Sequence, residues 1–434
     1  MMLPVYLPAN REDYFRKLQS RRLFDSTSLN EQVSSILREV RVHGDAAVRA
    51  FTRRFDGFDP DPIRVPESDW TGAASRLEPG TREILGLAIE RIRNFHLNQQ
   101  EQSWTVAGPY GEILGQKVTP LERVGVYVPG GKAFYPSSLL MNVIPAQVAG
   151  VDEIVVVTPA GKDGRLSPVL LGACDLLGIK EIYRIGGAQA VAALAFGTES
   201  VRPVDMITGP GNQYVAKAKQ LVFGFVKIDS IAGPSEVTII ADDTADTDAL
   251  ILDLFSQAEH DEQAAVTLIS LDPALPGKLQ ERLPALLEIQ PRKAIIAASL
   301  QSFGGLLPVD SVEEAFELAN RIAPEHLELL LDFPESHLYR VRHAGAVFIG
   351  HWSPEAAGDY LAGPNHVLPT CGTARFFSPL GVYDFMKRTS VIHLNEEAMK
   401  AIGPAVAAFA DLESLTAHGD SARLRTGKTG QSGS

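Results

Sequence analysis

The sequence has few cysteines, no long apolar run and no excess of positive charge. Its 434 residues contain two cysteines, Cys174 and Cys371, so a disulfide framework and a CxxC motif are both excluded. No apolar stretch reaches the ~20 residues that a membrane-spanning helix needs. The net charge of -13 argues against nucleic-acid binding, which normally uses a basic surface. We therefore expect a cytoplasmic protein that binds neither membrane nor nucleic acid.

Two kinds of pattern follow one another along the chain. From about Asn30 to Gln100, apolar residues recur at intervals of three and four, which predicts amphipathic helices. Beyond them, β-branched runs such as VGVYV, EIVVV and EVTII alternate with glycine turns and alanine-rich helices. This alternation predicts βαβ units, a parallel sheet and therefore an α/β fold. The segment HAGAVFIGHWSPEAAGDYLAGPNHVLPT is predicted to contain one strand, VFIG, and a long loop of the kind that often carries function.

Three glycine turns are candidates for a nucleotide site because each follows a predicted strand. They are PGGKAF (Pro129–Phe134), GGAQA (Gly186–Ala190) and GPGN (Gly209–Asn212). At such turns, backbone N–H groups and helix N-termini can bind phosphates. None of the turns matches GxGxxG, since Tyr214 stands where the third glycine would be. Tight strand-to-helix turns without a ligand remain the alternative on the pattern alone.

Histidines and carboxylates gather at four places in the second half of the sequence, within SQAEHD, PEHLE, GDYLAGPNH and ESLTAH. Gln257 and His260 are three residues apart, so they would share one face of a helix. Zinc accepts imidazole and carboxylate ligands. However, QxxH is a weak signal that a solvated helix end can also show, and Glu325 and His326 could simply end the helix VEEAFELANRIA. The residues alone predict an α/β enzyme and leave metal dependence open.

Together these segments resemble the histidinol dehydrogenase family over nearly the whole chain. The matching stretches follow the family's order and are VGVYVPGG, IGGAQAVAALAFGT, ITGPGN, IAGPSE, SQAEHD, APEHLE, GDY, GPNHVLPT and ESLTAH. The resemblance implies the zinc-dependent, four-electron oxidation of L-histidinol to L-histidine with two NAD, in the last steps of histidine biosynthesis. It also implies a homodimer whose sites are shared between subunits.

The fold implied by the resemblance has two Rossmann-like parallel-sheet domains, a helical N-terminal part and a small C-terminal dimerisation segment. Residues 1–25 would form an N-terminal extension, and residues 126–235 a Rossmann-like NAD-binding domain. Residues 26–125 together with 236–380 would form the zinc and substrate domain. Residues 381–434 would reach the partner subunit.

The resemblance also implies a role for each matching site residue. The implied zinc ligands are Gln257, His260, Asp359 and His418. Glu325 and His326 match an acid–base pair, in which His326 transfers the proton at the substrate oxygen and Glu325 activates water. The implied substrate contacts are Ser235, His366 and Glu413, together with His326 and the zinc ligands. The implied NAD contacts are Tyr127, Gln189 and Asn212.

Two alternatives to this interpretation differ in what they require of the site. A related zinc and NAD dehydrogenase could act on another amino alcohol or diol, but Ser235, His366 and Glu413 all favour histidinol. A nucleotide-binding regulatory or scaffold protein could lack catalysis, but the acid–base pair is present. Cys371 could in principle attack an aldehyde as a thiolate. Its sequence context contains no histidine that would activate it, so we expect a structural or incidental role.

Overall fold

The protein is described by a computed structural model that covers residues 3–21, 27–130 and 135–427. Its internal contacts divide the chain into two compact units. The first unit comprises Met1–Gln99 and Leu121–Phe385, and the second comprises Gln100–Pro120 and Met386–Ser434. The finer division of the first unit into a zinc domain and an NAD domain stays a prediction.

Helices and strands alternate through most of the first unit, and the elements of both units are numbered together in chain order. The helices are α1 (Arg11–Gln19), α2 (Thr27–Phe55), α3 (Glu67–Trp70), α4 (Pro79–His96), α5 (Pro136–Ala149), α6 (Pro168–Leu176), α7 (Gly187–Phe196), α8 (Gln213–Val222), α9 (Thr247–Ala258), α10 (Leu275–Glu288), α11 (Lys293–Phe303), α12 (Val312–Ile322), α13 (Glu355–Tyr360), α14 (Glu396–Leu412) and α15 (Thr416–Arg425). The strands are β1 (Trp104–Ala107), β2 (Ile113–Pro120), β3 (Arg123–Tyr127), β4 (Glu153–Val157), β5 (Glu181–Tyr183), β6 (Met206–Thr208), β7 (Lys227–Ile228), β8 (Glu236–Ala241), β9 (Ala265–Ser270), β10 (Gly304–Pro308), β11 (His326–Leu330), β12 (Ala346–Ile349) and β13 (Met386–His393). Within the described ranges, no helix has both the length and the apolar composition of a membrane-spanning segment.

The first unit contains two five-stranded sheets whose strands are all parallel. Their strand orders are β5-β4-β3-β6-β7 and β10-β9-β8-β11-β12. In each sheet the strand that comes first in the sequence, β3 or β8, lies at the centre. The next two strands are added on one side of it, and the last two strands are added on the opposite side. This is the doubly wound, Rossmann-like arrangement, so the predicted fold class is confirmed.

Helices cover the faces of both sheets, which explains why the sequences of the central strands are largely apolar. Strands β3, β8, β9 and β11 are buried along their whole length. Apolar residues of α2, α7 and α8 form one core with the sheet centred on β3. The sheet centred on β8 packs against α9, α10 and α11 in one core and against α1 and α12 in another. This packing holds the strand ends, and the side chains on them, in fixed positions.

Several features of the structure differ from the sequence pattern. The long helix α2 is interrupted at Gly44, which has φ 52°. The segment predicted as a long loop contains the six-residue helix α13. In the second unit, β1, β2 and β13 form an antiparallel sheet that the pattern did not predict, because these strands are mostly exposed and lack an alternating apolar face. Of the turn PGGKAF, residues 131–134 lie outside the described residues.

Candidate active site

A cavity of about 520 Å³ in the first unit is lined by residues that follow strands of one sheet and residues that precede strands of the other. On one side are Gly209 to Gln213, which follow β6. On the other are Ser235, just before β8, and Glu325, just before β11. The structure thus brings eight of the predicted site residues to one cavity: Asn212, Ser235, Gln257, His260, Glu325, His326, Asp359 and His366.

Glu325 and His326 lie at the start of a central strand. Helix α12 ends at Ile322, Ala323 adopts a left-handed conformation, and His326 is the first residue of β11. His326 pairs with Val237 of β8 in the middle of the sheet. The pair therefore does not simply end a helix, which was the alternative that the residues alone had left open. Both side chains are buried.

The hydrogen bonds of His326 define which ring nitrogen can act as a base. Its Nδ1 lies 3.0 Å from the Oε1 of Gln257 and 3.3 Å from the carbonyl oxygen of Glu236. Both neighbours accept hydrogen bonds, so Nδ1 carries the hydrogen. Burial lowers the pKa of His326 to about 3, and the ring is therefore neutral at physiological pH. Nε2 is buried and has no hydrogen-bond partner among the described residues, which leaves its lone pair available.

The carboxyl group of Glu325 is hydrogen-bonded to the backbone of the neighbouring strand. Its Oε2 accepts a hydrogen bond of 2.9 Å from the N–H of Glu236. Burial raises the pKa of Glu325 well above its ordinary value. A carboxylate whose pKa is raised is a stronger base than one in water, so this environment suits Glu325 to proton transfer.

A candidate metal centre lies beside this pair. His260, Glu355 and Asp359 each offer one ligand atom, and these atoms lie within 4.8 Å of one another. Burial raises the pKa of Asp359 to about 6 and that of Glu355 well above its ordinary value. The Oε2 of Glu355 is buried without a hydrogen-bond partner in the described part of the chain. A divalent cation would offset the cost of burying these charges, and imidazole and carboxylate are ligands that zinc accepts.

Glu355 was not predicted from the sequence as a site residue. It stands four residues before Asp359, and helix α13 places both residues on one face. The spacing E-x-x-x-D was visible in SPEAAGDY, but it has meaning only on a helix. The segment reads as a Gly/Pro-rich loop, so the helical spacing could not be applied to it.

Gln257 and His260 have different environments. Helix α9 ends at Ala258, so Gln257 lies in its last turn and His260 just beyond it, with the N–H of His260 3.3 Å from the carbonyl oxygen of Gln257. Gln257 is buried and its amide oxygen contacts His326. His260 is exposed on the cavity side. Gln257 therefore contacts His326, whereas His260 lies near Glu355 and Asp359, and all of these residues line one cavity.

His366 and Asp359 are neighbours in the same cavity wall. The Nδ1 of His366 donates to the carbonyl oxygen of Asp359 at 3.0 Å. Burial lowers the pKa of His366 to about 4, so this ring is also neutral at physiological pH. Its hydrogen lies on Nδ1, which leaves Nε2 as an acceptor for a polar ligand.

Tyr127 is the last residue of β3 and Asn212 follows β6, and these are the two neighbouring strands between which the order of the first sheet reverses. Ligands of doubly wound sheets bind at this position. The Oδ1 of Asn212 accepts from the N–H groups of Tyr214 and Val215 and so caps α8, which fixes its amide at the cavity. The two strand ends approach closely: a Cβ on Gly209, which has φ 112°, would lie 2.1 Å from the carbonyl oxygen of Tyr127.

Gln189 belongs to the turn beside Tyr127. The hydroxyl of Tyr127 accepts from the N–H of Gly187 at 3.1 Å, and Gln189 lies two residues further in α7. Both amide atoms of Gln189 are buried without hydrogen-bond partners in the described residues. A buried amide in this state is suited to a polar ligand such as a dinucleotide.

Two predicted residues lie in the second unit. Glu413 follows the last residue of α14, and His418 lies in the first turn of α15. Both are exposed within that unit. Among the described histidine, cysteine, aspartate and glutamate residues, the candidate metal centre of the first unit consists of His260, Glu355 and Asp359.

The fold and the site define a doubly wound α/β enzyme, with a neutral buried imidazole next to a candidate metal centre. The family model for histidinol dehydrogenase matches residues 19–426. The histidinol dehydrogenase of Aromatoleum aromaticum is 49% identical over 96% of this chain and 97% of its own length, and that of Bacillus subtilis is 48% identical over 94% and 96%. The crystal structure of histidinol dehydrogenase from Elizabethkingia anophelis has a TM-score of 0.92 at 34% identity and covers 98% of both chains. The chain belongs to the histidinol dehydrogenase family.

Proposed function

We propose that the protein oxidises L-histidinol to L-histidine through histidinal, using two NAD and a zinc ion, as one of the last steps of histidine biosynthesis. The observation that carries this proposal is the neutral His326, which lines the same cavity as His260, Glu355 and Asp359 and whose Nε2 has no hydrogen-bond partner among the described residues. The names of the similar proteins support the choice of substrate.

We propose Gln257, His260 and Asp359 as zinc ligands, with Glu355 as a further candidate. His418 would complete the ligand set from a second copy of the chain. Tyr127, Gln189 and Asn212 would contact NAD, and Ser235, His366 and Glu413 the substrate. When bound, zinc supplies a fixed point for the substrate's nitrogens and NAD supplies the acceptor for hydride.

The first oxidation removes one hydride and one proton from the alcohol and produces the aldehyde. His326 takes the hydroxyl proton on Nε2, because Nδ1 is engaged with Gln257 and with the carbonyl oxygen of Glu236. Burial keeps the ring neutral before the transfer, so its lone pair is available. The low pKa also favours release of the proton once the alkoxide has lost its hydride.

The second oxidation needs water to add to the aldehyde carbon. Glu325 accepts a proton from that water, since its buried carboxylate has a raised pKa and lies on the cavity wall. The hydrate then loses the second hydride. In total one water is consumed, and one carboxylate, two NADH and three protons are formed from each alcohol.

We propose that a homodimer is the active form. Apolar side chains on the C-terminal helices are exposed within the second unit, among them Phe409, Leu412 and Leu424, which are 64%, 83% and 68% exposed. Exposed apolar residues grouped in this way are typical of an interface. Sedimentation equilibrium measures the association, and a monomer with full activity would contradict the proposal.

The yield of NADH for each L-histidinol consumed tests the proposed reaction. We expect two NADH, complete loss of turnover after chelation, and recovery on addition of zinc. One NADH would instead indicate a simple alcohol dehydrogenase, and a panel of amino alcohols and diols would identify its substrate. No NADH at all would favour a protein that binds nucleotides without catalysis.

The variant Glu325→Gln tests the assignment of water activation. We expect it to slow the oxidation of supplied histidinal more than the oxidation of histidinol to histidinal, because only the second reaction needs the carboxylate as a base. Single-turnover NADH formation from each substrate measures both rates. Glu317→Gln, on the exposed face of α12, is the matched control. Equal slowing of both reactions would refute the assignment.

A further inference from the structure

The backbone of Glu236 contacts both members of the acid–base pair. Its N–H donates to the Oε2 of Glu325 at 2.9 Å, and its carbonyl oxygen lies 3.3 Å from the Nδ1 of His326. Glu236 is the first residue of β8, and β8 pairs directly with β11, which begins at His326. The backbone of this one residue therefore contributes to the orientation of both side chains, together with the amide of Gln257 in the case of His326.

The side chain of Glu236 is held in turn by Arg21. The two form an ion pair in which the side-chain exposures are 0% for Arg21 and 4% for Glu236. The Oε1 of Glu236 also lies 3.4 Å from the N–H of Gly372. The Nη1 of the same guanidinium lies 3.2–3.5 Å from three backbone carbonyl oxygens, those of Pro234, Ser235 and Gln263, and its two hydrogens are shared among them. Arg21 thus contacts the backbone that leads into β8 at Pro234 and Ser235 and the turn before β9 at Gln263.

We propose that Arg21 and Glu236 are positioning residues, and that their buried ion pair holds the backbone of Glu236 where it orients Glu325 and His326 for proton transfer. Arg21 follows the end of α1, and the cavity is lined without it, so it acts through the backbone rather than on the substrate. The inference rests on the proposed function of the acid–base pair.

The chemistry of arginine explains why we expect lysine to be unable to replace it at position 21. A guanidinium presents five N–H donors in a planar fork, so it can hold a carboxylate and several carbonyls together. A lysine has the same charge but only three donors on a flexible stem. Proton transfer requires heavy atoms within hydrogen-bond distance, and a displacement of ~1 Å can lower the rate by about 100-fold.

The variant Arg21→Lys keeps the charge and removes the fork. We expect kcat to fall by up to about 100-fold, while KM for histidinol, KM for NAD and the zinc content stay at the wild-type values. The rates are measured well below the unfolding temperature of the variant, so a loss of stability by itself does not lower kcat.

A second variant controls for the possibility that an unpaired buried charge, rather than the loss of positioning, lowers kcat. Arg21→Gln combined with Glu236→Gln removes both charges, so no buried charge is left without a partner. We expect the same loss of kcat. The matched control is Arg11→Gln, because Arg11 also anchors the N-terminal helix through an ion pair, with Glu314, and a bond to the carbonyl of Pro308. It should lower the unfolding temperature and retain wild-type kcat.

Wild-type kcat in both Arg21 variants would overturn the positioning role. So would an equal loss of kcat in Arg11→Gln, or a loss of zinc that accounts for the lower rate. The proposed function fails in a different way, namely when the unaltered protein forms no NADH from histidinol. The two failures are therefore distinguishable in the same set of assays.

Discussion

Replacing His326 with alanine is expected to lower kcat for histidinol oxidation by about 10²- to 10⁴-fold, the range typical of a lost general base. The reason is geometric: among the described residues Nε2 has no hydrogen-bond partner, so its lone pair is available, whereas Nδ1 is already hydrogen-bonded. Steady-state NADH formation measures the loss. Zinc content, measured on the same preparation, should remain at the wild-type value because His326 is not among the proposed ligands.

The control for this variant is His43→Ala, since His43 is exposed on α2 and distant in sequence from every site residue. It should retain wild-type kcat. Loss of metal from His326→Ala would contradict the assignment, because it would mean that the imidazole holds the ion rather than the proton. A rate close to wild type would mean that another group takes the hydroxyl proton.

Most of the strands that the sequence predicts are buried on both faces of their sheet. Strands such as β8 and β9 are largely apolar and buried along their whole length because helices cover both faces of their sheet. The antiparallel sheet of the second unit was missed for the opposite reason. Its strands are mostly exposed, so burial imposed no pattern on their side chains.

The site was predictable from its residue types and only partly from their positions. The short run PEHLELL reads equally well as the end of a helix or the start of a strand, so the place of His326 at the head of β11 needed the tertiary structure. Its neutral state depends on burial by segments distant in sequence, which no local pattern records. Glu355 was hidden because its helical spacing lies in a segment rich in glycine and proline.

The same burial that lowers the pKa of His326 raises that of Asp359, and this leads to the second large expected effect. A carboxyl whose pKa is raised in the folded state destabilises the fold once the pH exceeds its unfolded value, which is near 4. The pKa of Asp359 in the folded protein is about 6, so the destabilisation is complete at pH 7.5. A bound cation would remove it by compensating the charge.

The isosteric variant Asp359→Asn should therefore change stability in opposite directions with and without metal. Without zinc, at pH 7.5, it should unfold at a higher temperature than the metal-free wild type, because the buried charge is gone. With zinc, the wild type should gain stability in proportion to RT ln(1 + [Zn]/Kd), while the variant gains much less. Calorimetry measures both temperatures, and the zinc-dependent kcat of the variant should fall by about 100-fold or more.

Asp310→Asn is the control for the metal experiment, since Asp310 is exposed and lies before α12. It should respond to zinc like the wild type. If zinc raised the unfolding temperature of Asp359→Asn as much as that of the wild type, this carboxylate would be excluded as a ligand. His260 and Glu355 would then remain as the candidate ligands of the group. If metal-free Asp359→Asn were less stable than the wild type, the buried carboxyl would be stabilising by itself, and the cation would not be needed to account for its burial.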